Sequence, residues 1–277
     1  MSFFLQAIIL GLIQGVAEFL PISSSGHLSI AQNAFGLANA DADHLFFDVL
    51  LHLGTLVAVF VAYWGEIRDI VLEFLSMIRL RRRPEGQKPD RLSQRMIGFL
   101  IVATLPLVLV FLFKDQVESL MSNLIFIGTM LLVTGLLLFL SDRMNRGTKD
   151  LKSASVLDIV VVGLSQVIAV VPGLSRSGTT ISAGLSRGFS REFAVKFSFL
   201  MSIPAIIGAN LLSVVDAVQA GIDWSLMPAY LVGVVVAAVS GYFSIIFLKK
   251  ITRSKGFGLF SYYCWGAGLV TIVLGLF

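Results

Sequence analysis

Four stretches of this chain, 96–113, 120–140, 227–248 and 257–277, are uniformly apolar. The hydrocarbon core of a bilayer takes about 20 such residues to cross as a helix. A helix that is apolar all round has no face to turn to water, so it belongs in a core or a membrane. Only 14% of residues are charged, against about 25% in a typical soluble domain. The mean hydropathy is +0.89. These features predict a multi-pass α-helical membrane protein. A β-barrel is excluded, because its strands alternate apolar and polar residues over about 10 positions. No cleavable signal peptide is evident, since the first basic residue is Arg68. The lone Cys264 offers neither an intrachain disulfide nor a metal-type spacing. The net charge of +4 is no nucleic-acid signature, because the basic residues sit between apolar runs.

Loop charge orients the spans. Residues 66–95 hold eight Lys/Arg, 141–155 hold four and 249–255 hold four. The positive-inside rule puts these loops on the cytoplasmic side. Residues 39–44 and 212–226 have no Lys or Arg and 114–119 has one, so these face outward. Full spans then fall at 45–63, 96–113, 120–140, 197–212, 227–248 and 257–277. The run at 156–172 cannot also cross, because Arg187, Arg191 and Lys196 hold the far end of its segment inside. The segment 156–190 is therefore expected to dip in and return as a re-entrant hairpin with "PGLSRSG" at its tip. Non-helical backbone at that depth must be buried in protein or line a wet cavity. Residues 3–38 have the same layout around "PISSSGH", dipping from outside, which puts the N-terminus outside.

The two tips align without gaps. Residues 11–28 and 163–180 share Gly11/Gly163, Leu12/Leu164, Gln14/Gln166, Ala17/Ala169, Ser23/Ser175, Ser25/Ser177 and Gly26/Gly178. The charge rule gives the two halves opposite orientations. The expected fold is an all-α integral membrane protein with six transmembrane helices plus two re-entrant helical hairpins in an inverted-topology repeat. It forms one polytopic domain over 1–277. Repeat 1 covers about 1–113 with its hairpin at 3–38; repeat 2 covers about 156–277 with its hairpin at 156–190; the basic loop is 66–95. Such an inversion brings both tips to the midplane. There the N-termini of the returning half-helices attract anions.

The polar residues at the tips suit an anionic group. Arg176 costs at least about 2.5–3.5 kcal/mol to place at the bilayer centre, so it needs a purpose. Its guanidinium either binds phosphate oxygens in bidentate fashion or pairs with Glu18 or Asp48. Glu18 lies four residues after Gln14 on one helix face. Glu18 is a candidate acid/base, and with Gln14 a candidate holder of a divalent cation; a packing hydrogen bond is the plainer alternative. His27 is a candidate nucleophile or general base. Ser24 and Ser25 are alternative nucleophiles or phosphate donors. Ser23 and Gly26 complete the first tip. Ser175, Ser177 and Thr180, with the N–H groups of Gly173 and Gly178, could line an oxyanion pocket. Thr180 could equally bond back to its own helix. Asp48 and His52 either orient the site or support packing. Cys264 is read as inert, the small residues of 231–242 as close packing, and the basic loop as solvated and favouring anionic headgroups.

Two motifs carry a resemblance. Gln14 to Glu18, continuing into "FLPISSSGH", fits [E/Q]xxxE, and Pro172 to Thr180 fits PGxSRSxxT at every fixed position. On these the chain resembles, over essentially its whole length, the bacterial undecaprenyl pyrophosphate phosphatases of the bacitracin-resistance (BacA/UppP) type. Gln14 is a permitted variant that weakens any role needing a carboxylate there. The resemblance implies dephosphorylation of a C55 isoprenyl diphosphate to undecaprenyl phosphate, the carrier lipid for peptidoglycan precursors. It implies a divalent cation, Mg²⁺ or Ca²⁺, and a site open to the periplasm. Bacitracin would act by sequestering the substrate. The expected setting is the bacterial cytoplasmic membrane with both termini periplasmic. The expected partners are the lipid substrate and membrane lipids, with a homodimer left open.

A transporter or flippase for undecaprenyl phosphate is the competing reading, since inverted repeats with broken helices are a transporter architecture. "SSSGH" also resembles part of the motif of type-2 phosphatidic acid phosphatases. That family needs a His where this chain has Ser182, and a preceding Kx6RP that is absent.

Overall fold

In the computed structural model, residues 2–36, 42–84, 86–144, 147–220, 222–254 and 256–277 are described. The chain forms α1 (Phe3–Phe19), α2 (Ser24–Ala34), α3 (Ala42–Ala62), α4 (Trp64–Met77), α5 (Arg91–Thr104), α6 (Lys114–Ser119) and α7 (Leu124–Arg143). It continues through α8 (Val156–Ile168), α9 (Arg176–Ser186), α10 (Arg191–Ala220), α11 (Met227–Ser254) and α12 (Gly258–Leu274). Among the described residues the one β-feature is an isolated bridge between Lys149 and Phe189. The all-α membrane class is as the apolar runs require.

Among the described residues four helical stretches are long and apolar enough to cross a bilayer: Arg91–Val110, Leu124–Arg143, Arg191–Val215 and Trp224–Thr252. A fifth counts if α3 and α4, bent by 91°, are taken as one span. The sixth expected span, α12, has 17 residues and reaches only ~25 Å at ~1.5 Å per residue. The run at 96–113 is not all α-helix: Leu105–Phe113 tightens into a 3₁₀-helix where Pro106 removes a backbone donor. The span expected at 197–212 begins six residues earlier, inside the basic cluster. The first part of the expected loop 66–95, up to Met77, is helix α4. Its charges, Glu66, Arg68, Asp69 and Glu73, lower the average hydropathy and hide an amphipathic helix. The expected exterior loop 39–44 and the end of the 3–38 hairpin lie partly outside the described residues.

Both candidate hairpins are helix–break–helix units. Leu20 leaves the helical region (φ −68°, ψ 143°), as a residue before proline does, and so ends α1 at Pro21. α8 ends before Pro172, and Gly173 takes φ +88°, a conformation that glycine adopts without strain. The aligned serines then restart the chain in the same way. Ser23 Oγ accepts from Gly26 N at 3.3 Å and Ser175 Oγ from Gly178 N at 3.1 Å, each capping its helix. The base of the second hairpin is clamped by Asp158. It closes a capping box with Ser155 and pairs with Lys149 and Arg187, both at 2.9 Å.

The aligned glycines have matching positions too. A Cβ on Gly11 would stand 2.4 Å from Gly233 O on α11, and one on Gly163 2.7 Å from Ala103 O on α5. Gly15 packs on α11 as well, where a Cβ would lie 2.5 Å from Ala237 O, so the small residues of 231–242 do serve close packing. A core of Phe19, Tyr63, Phe197, Phe199, Leu200 and Met201 seats the break of α1 against α10. Adding a methyl where α8 meets α5 forces the helices apart, at about 1–3 kcal/mol for overpacking. Gly163→Ala should lower the thermal unfolding midpoint in detergent. Gly98→Ala, on the same α5 but with open space around it, should hold or raise it.

Candidate active site

The two breaks meet. A Cβ on Gly26 would lie 3.3 Å from Gly173 Cα, and one on Gly178 3.3 Å from Pro21 Cβ. Ser177 Oγ donates to Leu20 O at 3.3 Å, and the Cys264 thiol lies 3.7 Å from Pro21 O. Cys264 is therefore packing under the tip, as the sequence suggested. The N-termini of α2 and α9 thus face one small region, and helix N-termini favour negative charge.

Glu18 occupies that region and is buried. Its Oε1 accepts from Arg176 Nη2 at 2.5 Å. Its Oε2 accepts from Ser24 Oγ at 2.7 Å and from Gln14 Nε2 at 3.2 Å. His52 Nε2 stands 3.9 Å from the same oxygen. Gln14, Glu18, Ser24 and Arg176, all singled out from the sequence, are therefore one cluster. Arg176 also points Nη1 at Ser198 O at 3.5 Å. A guanidinium has five N–H donors, so others are left for a ligand. The Arg176 side chain is 18% exposed, which gives a ligand access to them.

His27 is placed differently from the expected nucleophile. Its Nδ1 lies 2.7 Å from Ser23 O and its Nε2 2.8 Å from the Tyr263 hydroxyl. A carbonyl only accepts, so in the neutral ring Nδ1 carries the proton and Nε2 accepts from Tyr263. The two rings also stack at 5.6 Å. Both nitrogens are thus engaged away from Glu18. His52 fixes its ring through Nδ1 to Asp48 O at 2.8 Å, while the Asp48 carboxylate accepts from Gln32 Nε2 at 3.1 Å. The expected Asp48–His52 pair runs through the backbone, and the Asp48 carboxylate braces α2 against α3.

The remaining hydroxyls are largely used locally. Ser23 and Ser175 cap helices; Ser25 lies 3.3 Å from Ser23 Oγ, and Ser177 3.2 Å from Ser175 Oγ. Thr180 donates to Arg176 O at 2.9 Å and meets Ser198 Oγ at 2.7 Å, the back-bonding alternative. Ser23 itself sits at φ +74°, unusual for a side-chain-bearing residue and a local strain at the turn into α2. Two braces escaped sequence reasoning. Thr134 of α7 donates to Gly173 O at 3.2 Å and accepts from Ser175 N at 3.1 Å, holding the second tip. Tyr263 holds His27 from 236 residues away. The only sequence signal for either was a polar atom within an otherwise apolar run.

For a divalent cation, the cluster offers one orphaned acceptor: Gln14 Oε1 is buried beside Glu18 without a hydrogen-bond partner. Among the described residues no three His, Cys, Asp or Glu gather into a protein cage. The donor set therefore fits a cation that brings most of its oxygen ligands on a phosphate, as Mg²⁺ commonly does.

Fold and site together define a polytopic membrane protein with an acid–hydroxyl–arginine cluster where two helix breaks meet. The chain matches the family described as "Bacitracin resistance protein BacA" over residues 7–270, and it belongs to that family. It is 43% identical over 274 residues to a protein of Methanobrevibacter smithii named undecaprenyl-diphosphatase, covering 97% of this chain and 96% of that one. A protein of the same name from Carboxydothermus hydrogenoformans is 43% identical over 275 residues (97% and 96%), and one from Alkaliphilus metalliredigens 40% over 272 (98% and 98%).

The Glu18–Arg176 pair joins the two tips. Removing one partner of a buried pair strands the other charge, at about 3–5 kcal/mol. Glu18→Gln and Arg176→Gln should each lower the unfolding midpoint clearly, and the double variant should lose less than the sum. Additive losses in this double-mutant cycle would mean that the pair does not join the tips.

Proposed function

We propose that this chain is an undecaprenyl-diphosphatase. It removes the terminal phosphate of a C55 isoprenyl diphosphate, giving undecaprenyl phosphate and inorganic phosphate. The observation that carries this reading is the Ser24 hydroxyl donating at 2.7 Å to a carboxylate whose other oxygen holds Arg176. A hydroxyl beside a base, with a cation aimed at the same spot, is the arrangement for attack on phosphorus. The names of the relatives favour hydrolysis over the transporter reading.

Ser24 Oγ attacks the terminal phosphorus as Glu18 Oε2 takes its proton. The bond from phosphorus to the bridging oxygen breaks, and undecaprenyl phosphate leaves. Glu18 passes that proton to the departing phosphate oxygen, then takes one from the water that hydrolyses the phosphoserine and returns it to Ser24 Oγ as inorganic phosphate leaves. Arg176 turns its remaining donors to the phosphoryl oxygens, where charge stabilisation is most of the catalysis. Gln14 Oε1 and Glu18 would hold the divalent cation that arrives on the diphosphate, and when bound it neutralises phosphate charge. His27, engaged by Ser23 and Tyr263, braces the start of α2 and leaves the nucleophile's role to Ser24. The same reading places the chain in the bacterial cytoplasmic membrane, with both termini and the mouth of the site on the periplasmic side. The inverted repeat, supported by the paired glycine crossings and paired serine caps, explains how two tips reach one depth.

The test is phosphate release from detergent-solubilised isoprenyl diphosphate by purified protein with Mg²⁺ or Ca²⁺. Loss of a nucleophile should lower kcat by ~10³-fold or more for Ser24→Ala, while His27→Asn, which keeps a donor toward Ser23 O, should lose under ~10-fold. Chelator should stop release. The reverse ranking of the two variants would move the nucleophile to His27.

A further inference from the structure

We propose that α4 and the arginines that follow it form a binding site for the phosphate headgroups of anionic phospholipids. α3 has 21 residues and so spans ~31 Å, about the thickness of a bilayer's hydrocarbon core. The chain then turns by 91° into α4; with α3 alone as the span, α4 lies along the membrane surface where α3 ends. The turn is fixed. Tyr63 is buried and leaves the helical conformation, Lys249 Nζ donates to Ala62 O at 3.2 Å and sits 3.6 Å over the Tyr63 ring, and Lys196 pairs with Glu66 at 2.7 Å.

α4 is amphipathic at helical spacing. Trp64, Val71, Phe74 and Ile78 are exposed on one arc, with Trp64 62% exposed. Arg68 is exposed one turn after Trp64, at the flank of that arc; Asp69 is exposed on the far side, and Glu73 is buried against the protein. A helix of this kind at this depth buries its apolar arc among acyl chains, with Trp64 at the headgroup level. Arg79, Arg81 and Arg82 follow directly, then Lys88. Among the described residues these four have no ion-pair partner, whereas Arg83 turns inward to Glu73, which Gln94 also holds at 2.6 Å. Glu66 and Glu73 are thus neutralised within the protein, which leaves Asp69 as the exposed acid of α4. The remaining cations stand at the level of lipid phosphates, where each basic residue is worth about a 5-fold local enrichment of anionic lipid. The chemistry favours an anionic lipid over a zwitterionic one, whose amine would meet the same arginines.

The experiment reconstitutes the full chain in bilayers of phosphatidylcholine with a minor fraction of phosphatidylglycerol, brominating the acyl chains of one lipid or the other. Brominated chains quench tryptophan on contact, and subtracting the signal of Trp64→Phe isolates Trp64. At equal mole fraction, brominated phosphatidylglycerol should quench Trp64 at least ~3-fold more effectively than brominated phosphatidylcholine. The preference should vanish in R79Q/R81Q/R82Q, with phosphate release unchanged as a control for folding. Equal quenching by the two lipids in the unsubstituted protein would overturn the proposal. So would a preference that survives the triple substitution.

Discussion

The ion pair between Glu18 and Arg176 is the interaction on which the rest of the structure depends. It joins residues 158 positions apart, one from each helix break. Neither charge is easily tolerated alone there: a buried carboxylate or guanidinium stripped of its partner is expensive. The pair also fixes the separation of the two tips, because Glu18 lies in the last turn of α1 and Arg176 begins α9. Ser24 and Gln14 complete the coordination of the carboxylate, so the atoms proposed to carry out the reaction are those that hold the halves together. Thr134, Tyr263 and the glycine contacts around Gly26 and Gly173 position this cluster without belonging to it.

Two broken helices are costly in a membrane, because each break exposes backbone donors and acceptors. The chain satisfies them locally with serine caps at Ser23 and Ser175, and leaves two helix N-termini directed at one place. This arrangement suits an anionic headgroup whose tail remains in lipid. In the resting protein the Glu18 carboxylate occupies the anion-attracting spot, held by the same arginine proposed to receive phosphate. Substrate must therefore share Arg176 with Glu18 rather than find it free, which keeps the base beside the serine during the reaction.

Much of this was legible in the sequence for physical reasons. Apolar runs of bilayer length dictate spanning helices, and an Arg among small residues in such a chain marks a site. The aligned Gly11/Gly163 and Ser23/Ser175 fall at matching helix crossings and helix caps, roles that the alignment alone did not assign. What was not legible depends on long-range contact. Nothing local says that Tyr263 engages His27 Nε2 while Ser24 bonds the acid. The pattern 64–77 read as loop because its charges dilute the hydropathy, while its apolar arc shows only once the helix is placed at right angles to α3. The short α12 and the 3₁₀ stretch after Thr104 likewise depend on backbone geometry that average hydropathy does not resolve.

The most direct measurement is the fate of the terminal phosphate in a single turnover. Purified protein in excess would be mixed with isoprenyl diphosphate carrying ³²P in its terminal phosphate, acid-quenched at short times and digested for peptide mapping. The account predicts a transient, acid-stable label on the peptide bearing Ser24, absent from Ser24→Ala. An acid-labile, base-stable label on His27 would contradict it, as would labelled phosphate released in the single turnover with no labelled protein at any time, the mark of direct attack by water.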